Sequence, residues 1–286
     1  MHNGEFVVHP GRPVKLAELD PGFTADFKSK ADADERLQND IARLVELQDV
    51  FAAARSHALL IIFQGMDSAG KDGVIKHVMS GVNPQGVDVH SFKAPTQEEL
   101  NHDFLWRCEK VLPERGRIGI FNRSYYEEVV VVRVHRELLA LEAAESAGDL
   151  WSERFEDINT FERHLVRSGT LVLKFFLHLS KDEQRKRLLK RLEDKDKNWK
   201  FSPDDVTERH YWDRYAAAYE QMLDGTTTEW APWYAIPADR KWFARGAVAG
   251  LIVEKLDALG LHYPRLEGKA AELLAQVRSE LEAAQA

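Results

Sequence analysis

The most constraining feature of the sequence is the stretch LLIIFQGMDSAGKDG, which occupies residues 59–73. A run of large apolar residues predicts a buried strand, and a glycine turn then leads into an apolar pattern with helical spacing. Gly65, Gly70 and Lys71 are spaced as in G-x-x-x-x-G-K, where glycines let backbone N–H groups approach an anion. The order strand, loop, helix predicts a phosphate loop, with Lys71 and the backbone at Ala69 on the phosphates.

The residue after the lysine departs from the usual pattern. A serine or threonine hydroxyl normally contacts Mg²⁺ at this position, but this chain has Asp72. If the loop binds a metal–phosphate complex, a carboxylate must make that contact, either Asp67 or Asp72. The alternative is a glycine turn in an ordinary strand-to-helix connection.

Composition narrows the class of protein. The 286 residues, of which 44% are hydrophobic, suffice for a large core in one domain. A net charge of −8 argues against indiscriminate nucleic-acid binding, and the single cysteine, Cys108, excludes a disulfide framework or a cysteine-based zinc site. Without a signal-peptide pattern or a run of about 18 apolar residues, we expect a cytoplasmic protein that does not span a membrane.

Buried-strand patterns alternate with helical patterns along the chain. Strands are predicted at 58–64, 87–92, 117–121, 171–178 and 230–236. Helices are predicted at 31–54, 71–80, 96–111, 138–168, 205–224, 239–259 and 268–285. This alternation predicts a three-layer α/β fold with a five-stranded parallel sheet.

Polar residues follow two of the predicted strands. Lys93 lies just past the second strand, and Asn122 and Arg123 follow the third. Ligands collect at the carboxyl ends of parallel strands, so Lys93 is either a phosphate contact or a solvated loop lysine. Asn122 stands where phosphate-loop enzymes place a metal-contacting side chain, and Arg123 is placed to bind a phosphoryl group with two donors.

Three further residues allow a functional and a structural interpretation. Glu127 begins a predicted helix, where the helix dipole favours acidic residues in any case. Arg133 is either a phosphate ligand or part of a surface salt bridge. His178, near the end of the fourth strand, is better explained as a packed or hydrogen-bonded histidine than as a catalytic one.

A basic segment lies in this acidic chain. Residues 181–200 hold nine basic and five acidic side chains, a local net charge of +4. Such an island suggests a polyanionic ligand, and Arg187 and Arg191, four residues apart, share one helical face. The polar part at 194–202 predicts a lid that folds over phosphates and excludes water. The alternative is a solvated helix of mixed charge.

A phosphate loop with a basic lid predicts phosphoryl transfer, which depends on positioning and charge neutralisation. The sequence has no H-E-x-x-H, Cys/His cluster or G-x-G-x-x-G. It also lacks the N/T-K-x-D tetrapeptide that reads guanine, which argues against a GTPase switch.

Eight segments, in order over about residues 30–262, resemble the motifs of the family-2 polyphosphate kinases. They are GMDSAGKDG (65–73), SFKAPTQEEL (91–100), HDFLWR (102–107), FNRSYYE (121–127), VVRVH (131–135), KFFLHLSKDEQ (174–184), NWKFSPDD (198–205) and APWYAIPADRKWF (231–243). The resemblance implies a fold like that of thymidylate kinase, with Mg²⁺ or, as a substitute, Mn²⁺. It also implies phosphoryl transfer between inorganic polyphosphate and a nucleotide.

By position, the resemblance implies catalytic roles for Asp67, Lys71, Asn122 and Arg123, with Asp67 holding Mg²⁺ or orienting the accepting phosphate. Four lid residues match the family's polyphosphate-gripping lid: Arg187, Arg191, Lys197 and Lys200. The resemblance also implies a P-loop kinase domain over 31–262 with a helical lid at about 181–207. An irregular N-terminal arm (1–30) and a C-terminal helical tail (263–286) flank it.

The segment after the second catalytic motif bears on the nucleotide. Family members restricted to diphosphates or to monophosphates tend to carry asparagine there, whereas this chain has Glu127, and its VVRVH resembles the subclass that uses both. Glu127 would hold a second Mg²⁺ or a water against the shorter nucleotide. We therefore expect reversible conversion of AMP to ADP and of ADP to ATP, by a homo-oligomer (dimer or tetramer). The alternatives are an ATP-dependent nucleoside or small-molecule kinase, and a nucleotide-sensing protein without turnover.

Overall fold

The computed structural model describes residues 3–141, 149–196 and 204–283. Its sheet has the order β2-β3-β1-β4-β5, and every neighbouring pair is parallel. The strands are β1 (Ala58–Gln64), β2 (Val87–Ser91), β3 (Ile118–Asn122), β4 (Thr170–His178) and β5 (Trp233–Pro237). The predicted five-stranded parallel sheet is confirmed.

Helices cover both faces of this sheet. The longer ones are α1 (Lys30–Ala54), α2 (Lys71–Val78), α5 (Glu127–Val134), α6 (Leu150–Arg167), α7 (Lys181–Glu193), α9 (Trp212–Thr226), α10 (Lys241–Asp257) and α11 (Lys269–Ala283). The shorter ones are α3 (Gln97–Leu100), α4 (Trp106–Glu109) and α8 (Asp204–His210). One core lies between the sheet and α1, α2 and α10, and a second lies between the sheet and α5, α6 and α9. The predicted three layers are therefore present.

The central strand, β1, is apolar from its start to Phe63, and its two faces show why. Leu59, Ile61 and Phe63 point into the first core, whereas Leu60 and Ile62 point into the second. A parallel strand covered by helices on both faces has no solvated side, so its residues do not alternate between apolar and polar.

Two predicted helices are divided. The segment 96–111 forms α3 and α4, because the Asp103 carboxylate accepts the N–H groups of Leu105 and Trp106 and starts a new turn there. The predicted capping of this segment by Thr96 is present. The segment 205–224 is divided at Tyr211 into α8 and α9.

The chain connections locate the site. From β1 the chain passes through α2 to the edge strand β2, whereas from β3 it crosses β1 to reach β4. The neighbouring strands β1 and β3 thus send their connections in opposite directions, which makes their carboxyl ends a topological switch point where ligands bind. In the described ranges, none of the helices is long and apolar enough to cross a membrane.

Candidate active site

The phosphate loop, residues 65–70, leaves β1 in a tightly constrained conformation. Gly65 has φ +149°, and a Cβ there would lie 2.8 Å from the carbonyl oxygen of Leu177. Gly70 (φ +105°) forms the N-cap of α2. Ser68 also adopts a positive φ, +65°, which costs a non-glycine residue energy and is typical of functional loops. Only glycine fits at the first of these positions.

The N-terminus of α2 faces the same region. Its first backbone hydrogen bond runs from the N–H of Val74 to the carbonyl of Gly70, at 2.9 Å. The N–H groups of Lys71, Asp72 and Gly73 therefore precede the helical ladder. Together with the positive end of the helix dipole they form an anion-binding end.

Lys71 is folded back onto the loop. Its Nζ donates to the carbonyl of Gly65 at 2.7 Å and lies 3.5 Å from that of Met66. Burial, and then the charge of Arg123, lower the pKa of this lysine, while nearby carboxylates act in the opposite direction. A phosphate in the cleft would supply the counter-charge that favours the ammonium form.

Arg123 joins the two carboxylates predicted to bind metal. It follows β3 with φ +66°, and its N–H donates to the carbonyl of Phe63 in β1. Its Nη2 lies 2.8 Å from Asp67 Oδ1, and its Nη1 lies 3.3 Å from Glu127 Oε2. Glu127, and then Asp67, raise the pKa of Arg123 despite its burial. The structure thus brings together three predicted catalytic residues, one from the phosphate loop and two from the segment that follows β3.

Asn122 contacts the start of α2. Its Nδ2 donates to Asp72 Oδ1 at 2.6 Å and lies 3.5 Å from Ser91 Oγ. The side chain therefore links the ends of β2 and β3 to the phosphate loop's helix. Asp72, which replaces the usual hydroxyl, is the partner of this amide.

Helix α7, which begins the segment predicted to form a lid, packs against the loop. Gln184 Nε2 donates to the carbonyl of Asp67 at 3.0 Å, and Arg191 Nη2 donates to Ser68 Oγ at 2.8 Å. Arg187 donates to loop carbonyls and to other protein acceptors. Arg187, a predicted phosphate contact, uses all five of its N–H donors on protein acceptors. Lys197 and Lys200, the other predicted lid contacts, lie outside the described residues.

The remaining candidates fall in different places. Lys93 is exposed in the main cleft, and its carbonyl accepts from Arg107 at 2.9 Å. Arg133 packs its guanidinium 5.0 Å from the Trp151 ring centroid, and burial lowers its pKa. Val131, also on α5, lines a small cavity next to Asp67. Two positions along a helix differ by about 200° in direction, so Arg133 lies on the side of α5 away from that cavity. The structure therefore does not bring Arg133 to the loop.

His178 has the structural role that its sequence position suggested. Its Nε2 lies 3.0 Å from the carbonyl oxygen of Leu19, and burial lowers its pKa. A histidine held against the N-terminal segment in this way is a packing residue.

The main cleft is a cavity of about 920 Å³ above the phosphate loop. Its basic lining residues are Lys71, Lys93, Arg123, Arg187, Lys190, Arg191, Lys241 and Arg245. Lys241 and Arg245 were not singled out from the sequence, although their i, i+4 spacing at the start of a helix puts them on one face. Burial, followed by the charges of Arg187 and Arg245, lowers the pKa of Lys241. That crowding of cations is typical of a polyanion site.

A side cavity of about 40 Å³ lies on the other side of Asp67 and Arg123. Its lining residues are Gly65, Met66, Asp67, Arg123, Glu127, Val131, Gln184, Glu208, Arg209, Trp212, Tyr215 and Tyr219. The aromatic residues of this wall also belong to the core between the sheet and α5, α6 and α9, where Tyr219 is buried and Trp212 and Tyr215 pack against it. Glu208 fixes this wall, because it accepts from Tyr215 OH at 2.6 Å and lies 2.9 Å from His135 Nε2.

A parallel sheet with a glycine loop after β1 and a basic helical cover defines a P-loop kinase fold. Residues 27–262 match the family model described as Polyphosphate kinase 2 (PPK2). The chain belongs to this family.

Similar proteins cover nearly the whole chain. An ADP-polyphosphate phosphotransferase of Rhodopseudomonas palustris is 49% identical over 281 residues, covering 97% of each chain. An AMP/ADP-polyphosphate phosphotransferase of Meiothermus ruber is 42% identical over 271 residues, covering 94% of this chain and 98% of the relative. The crystal structure of polyphosphate kinase 2 from Arthrobacter aurescens superposes with a TM-score of 0.88 at 42% identity, covering 98% and 97% of the two chains.

Proposed function

We propose that this protein transfers phosphoryl groups reversibly between inorganic polyphosphate and adenine nucleotides, from AMP to ADP and from ADP to ATP. One observation carries the proposal: two cavities of opposite chemical character meet at Asp67 and Arg123. The names of two relatives support it, one specifying ADP and the other both AMP and ADP.

The main cleft fits polyphosphate. A single triphosphate is satisfied by a phosphate loop and its lysine, whereas here Lys190, Arg191, Lys241 and Arg245 extend the positive lining beyond the loop. A chain of phosphates carries a charge at each unit, so an extended row of cations binds more of it.

The side cavity has a lining that suits the accepting nucleotide. Trp212, Tyr215 and Tyr219 offer ring faces for a base, and Asp67 and Arg123 stand at the boundary with the cleft. A ligand pocket usually measures about 300 Å³ or more, so the wall formed by α8 and α9 must move outward to admit a nucleotide. Arg123 would then neutralise the phosphoryl group as it passes between the cavities.

The residues of the site suit a Mg²⁺ ion that enters already bound to a substrate phosphate. Among the described residues no group of three or more His, Cys, Asp or Glu could form a metal cage. Mg²⁺ needs only one or two carboxylates when substrate phosphates and waters complete its shell. Asp67 would supply one, and Glu127 a second; when bound, the ion would neutralise charge on the transferred group.

Two further features belong to the proposal. Glu127 borders the side cavity, and in this proposal it would hold a water or a second Mg²⁺ where AMP lacks a β-phosphate. The helix α11 exposes Leu273, Leu274, Val277 and Leu281, which supports self-association into a dimer or tetramer. Light scattering on the purified protein would measure the subunit number.

A donor assay separates this function from an ATP-dependent kinase. The protein is incubated with AMP, Mg²⁺ and polyphosphate, and separately with ATP and candidate nucleoside or small-molecule acceptors. Anion-exchange chromatography then resolves the nucleotides. We expect ADP and ATP to form only when polyphosphate is present. Turnover with ATP alone as donor would replace the proposal with the alternative.

A further inference from the structure

The guanidinium of Arg187 is fully occupied by protein acceptors. Its Nε donates to Glu183 at 3.0 Å, and its Nη1 donates to the carbonyls of Ser68 at 3.0 Å and Ala69 at 2.9 Å. Its Nη2 donates to the carbonyls of Ala238 and Asp239. A guanidinium has five N–H donors, so these bonds account for every one.

The four backbone carbonyls among these acceptors belong to two segments beside the main cleft. Ser68 and Ala69 belong to the phosphate loop, and the Ala238–Asp239 pair precedes α10, which presents Lys241. One planar group thus fixes the position of the loop relative to the helix beside it. Ser180, the N-cap of α7, strengthens this link, since its N–H and its hydroxyl both donate to the Asp239 carboxylate at 2.8 Å.

The direction of the loop carbonyls determines the direction of the loop N–H groups. In a trans peptide the C=O of one residue and the N–H of the next are antiparallel, and every peptide bond among the described residues, the loop included, is trans. Because Arg187 holds the carbonyl of Ala69, the N–H of Gly70 points away from Arg187. Gln184, which binds the carbonyl of Asp67, turns the N–H of Ser68 in the same way. Both donors belong to residues that line the cleft.

The neighbouring cations on α7 are placed differently. Arg187 is 9% exposed, whereas Lys190 is exposed and Arg191 is half-buried in the cleft wall. Arg191 meets the loop through the Ser68 hydroxyl rather than through backbone carbonyls. Arg187 and Arg191, which share one face of α7, therefore differ in both exposure and contacts.

We propose that Arg187 is a positioning residue, which aims the Gly70 N–H of the phosphate loop at the bound phosphates and fixes the loop against α10. Lys190 and Arg191 carry the charge that the polyanion meets. The choice of polyphosphate as that polyanion rests on the function proposed above. The role of Arg187 in shaping the loop rests on geometry alone.

Charge-conserving substitutions test the assignment. Lysine keeps the charge but cannot replace five planar donors, so Arg187→Lys is expected to lower kcat about 30-fold and to change KM for polyphosphate less than about twofold. Arg191→Gln is expected to raise that KM about fivefold and to weaken the dependence of kcat/KM on salt, with partial recovery in Arg191→Lys. Arg185→Lys, exposed on the same helix, is the control and should match the wild type.

A second measurement tests the role of Arg187 independently of which phosphoryl donor the enzyme uses. Hydrogen–deuterium exchange of amides 65–73 should be faster in Arg187→Lys than in Arg185→Lys, at a temperature where melting curves show both folded. Near-normal kcat in Arg187→Lys, or a raised KM and a weaker salt dependence in Arg187→Gln, would overturn the assignment. Equal loop exchange in the two lysine variants would overturn it as well, even if the wild type fails to use polyphosphate.

Discussion

The two cavities that meet at Asp67 and Arg123 differ in size, charge and wall material. The main cleft, about 920 Å³, is lined by the phosphate loop and by basic side chains from α7 and α10. The side cavity, about 40 Å³, is lined by aromatic rings and by carboxylates balanced by arginines. The first fits a ligand that is all charge, and the second fits one with an apolar, stacking part. Under the function proposed above, this asymmetry puts the donor and the acceptor on opposite sides of the Arg123 guanidinium.

The largest effect is expected at Lys71, because transfer to either nucleotide needs this cation. Lys71→Ala removes the mobile cation of the loop and should lower kcat about 1,000-fold with either nucleotide, since it acts on the charge of the transferred phosphoryl group. Steady-state assays with AMP and ADP measure this loss. Lys76→Ala, exposed on the same helix, is the control. A rate within tenfold of the wild type for Lys71→Ala would mean that the loop is not the phosphate cradle.

A smaller effect is expected on the donor side alone. The double variant Lys241→Gln/Arg245→Gln removes two cations from the cleft wall and should raise KM for polyphosphate about tenfold, leaving KM for the nucleotide within about twofold. Lys255→Gln, at the far end of the same helix, provides the comparison. If the nucleotide KM rises instead, the two cavities have been assigned to the wrong ligands.

The side cavity offers the next test. Glu127→Asn keeps a polar side chain but removes the carboxylate, and it should lower kcat/KM for AMP about tenfold more than for ADP. The reason is that only AMP leaves the space that the carboxylate, with a water or Mg²⁺, would fill. Parallel assays with the two nucleotides give the ratio, and Glu137→Gln, exposed beyond the end of α5, should not change it. Equal losses with both nucleotides would remove the selectivity role of Glu127.

The residues of the site differ in how far the sequence predicts their positions. The loop was predictable because Gly65, Gly70 and Lys71 are close in sequence and their spacing alone implies the geometry. Asn122 and Arg123 were predictable because the ends of parallel strands meet at one edge. Lys241 and Arg245 were not, since their place in the cleft depends on α10 packing against α2.

A sequence pattern also does not show how deeply a side chain is buried or which groups it contacts. Helical spacing shows that Arg187 and Arg191 share a face, but it does not show that one meets four backbone carbonyls there. The aromatic residues of α9 have the spacing of a core stripe, and the same spacing serves a cavity wall. Asp103 starts a new helix through its own side chain, a local interaction that averaged propensity does not resolve.

The smallest effect is expected at the outer wall of the side cavity. His135, just past α5, contacts Glu208 of α8, and Tyr215 of α9 donates to the same carboxylate. Glu208→Gln keeps the size of the side chain but weakens both bonds, so α8 should rest less firmly on α5 and KM for the nucleotide should rise about threefold. KM for polyphosphate is the internal control, because Glu208 does not line the main cleft. If both constants rise together, α8 closes over the whole site and the two cavities are not independent.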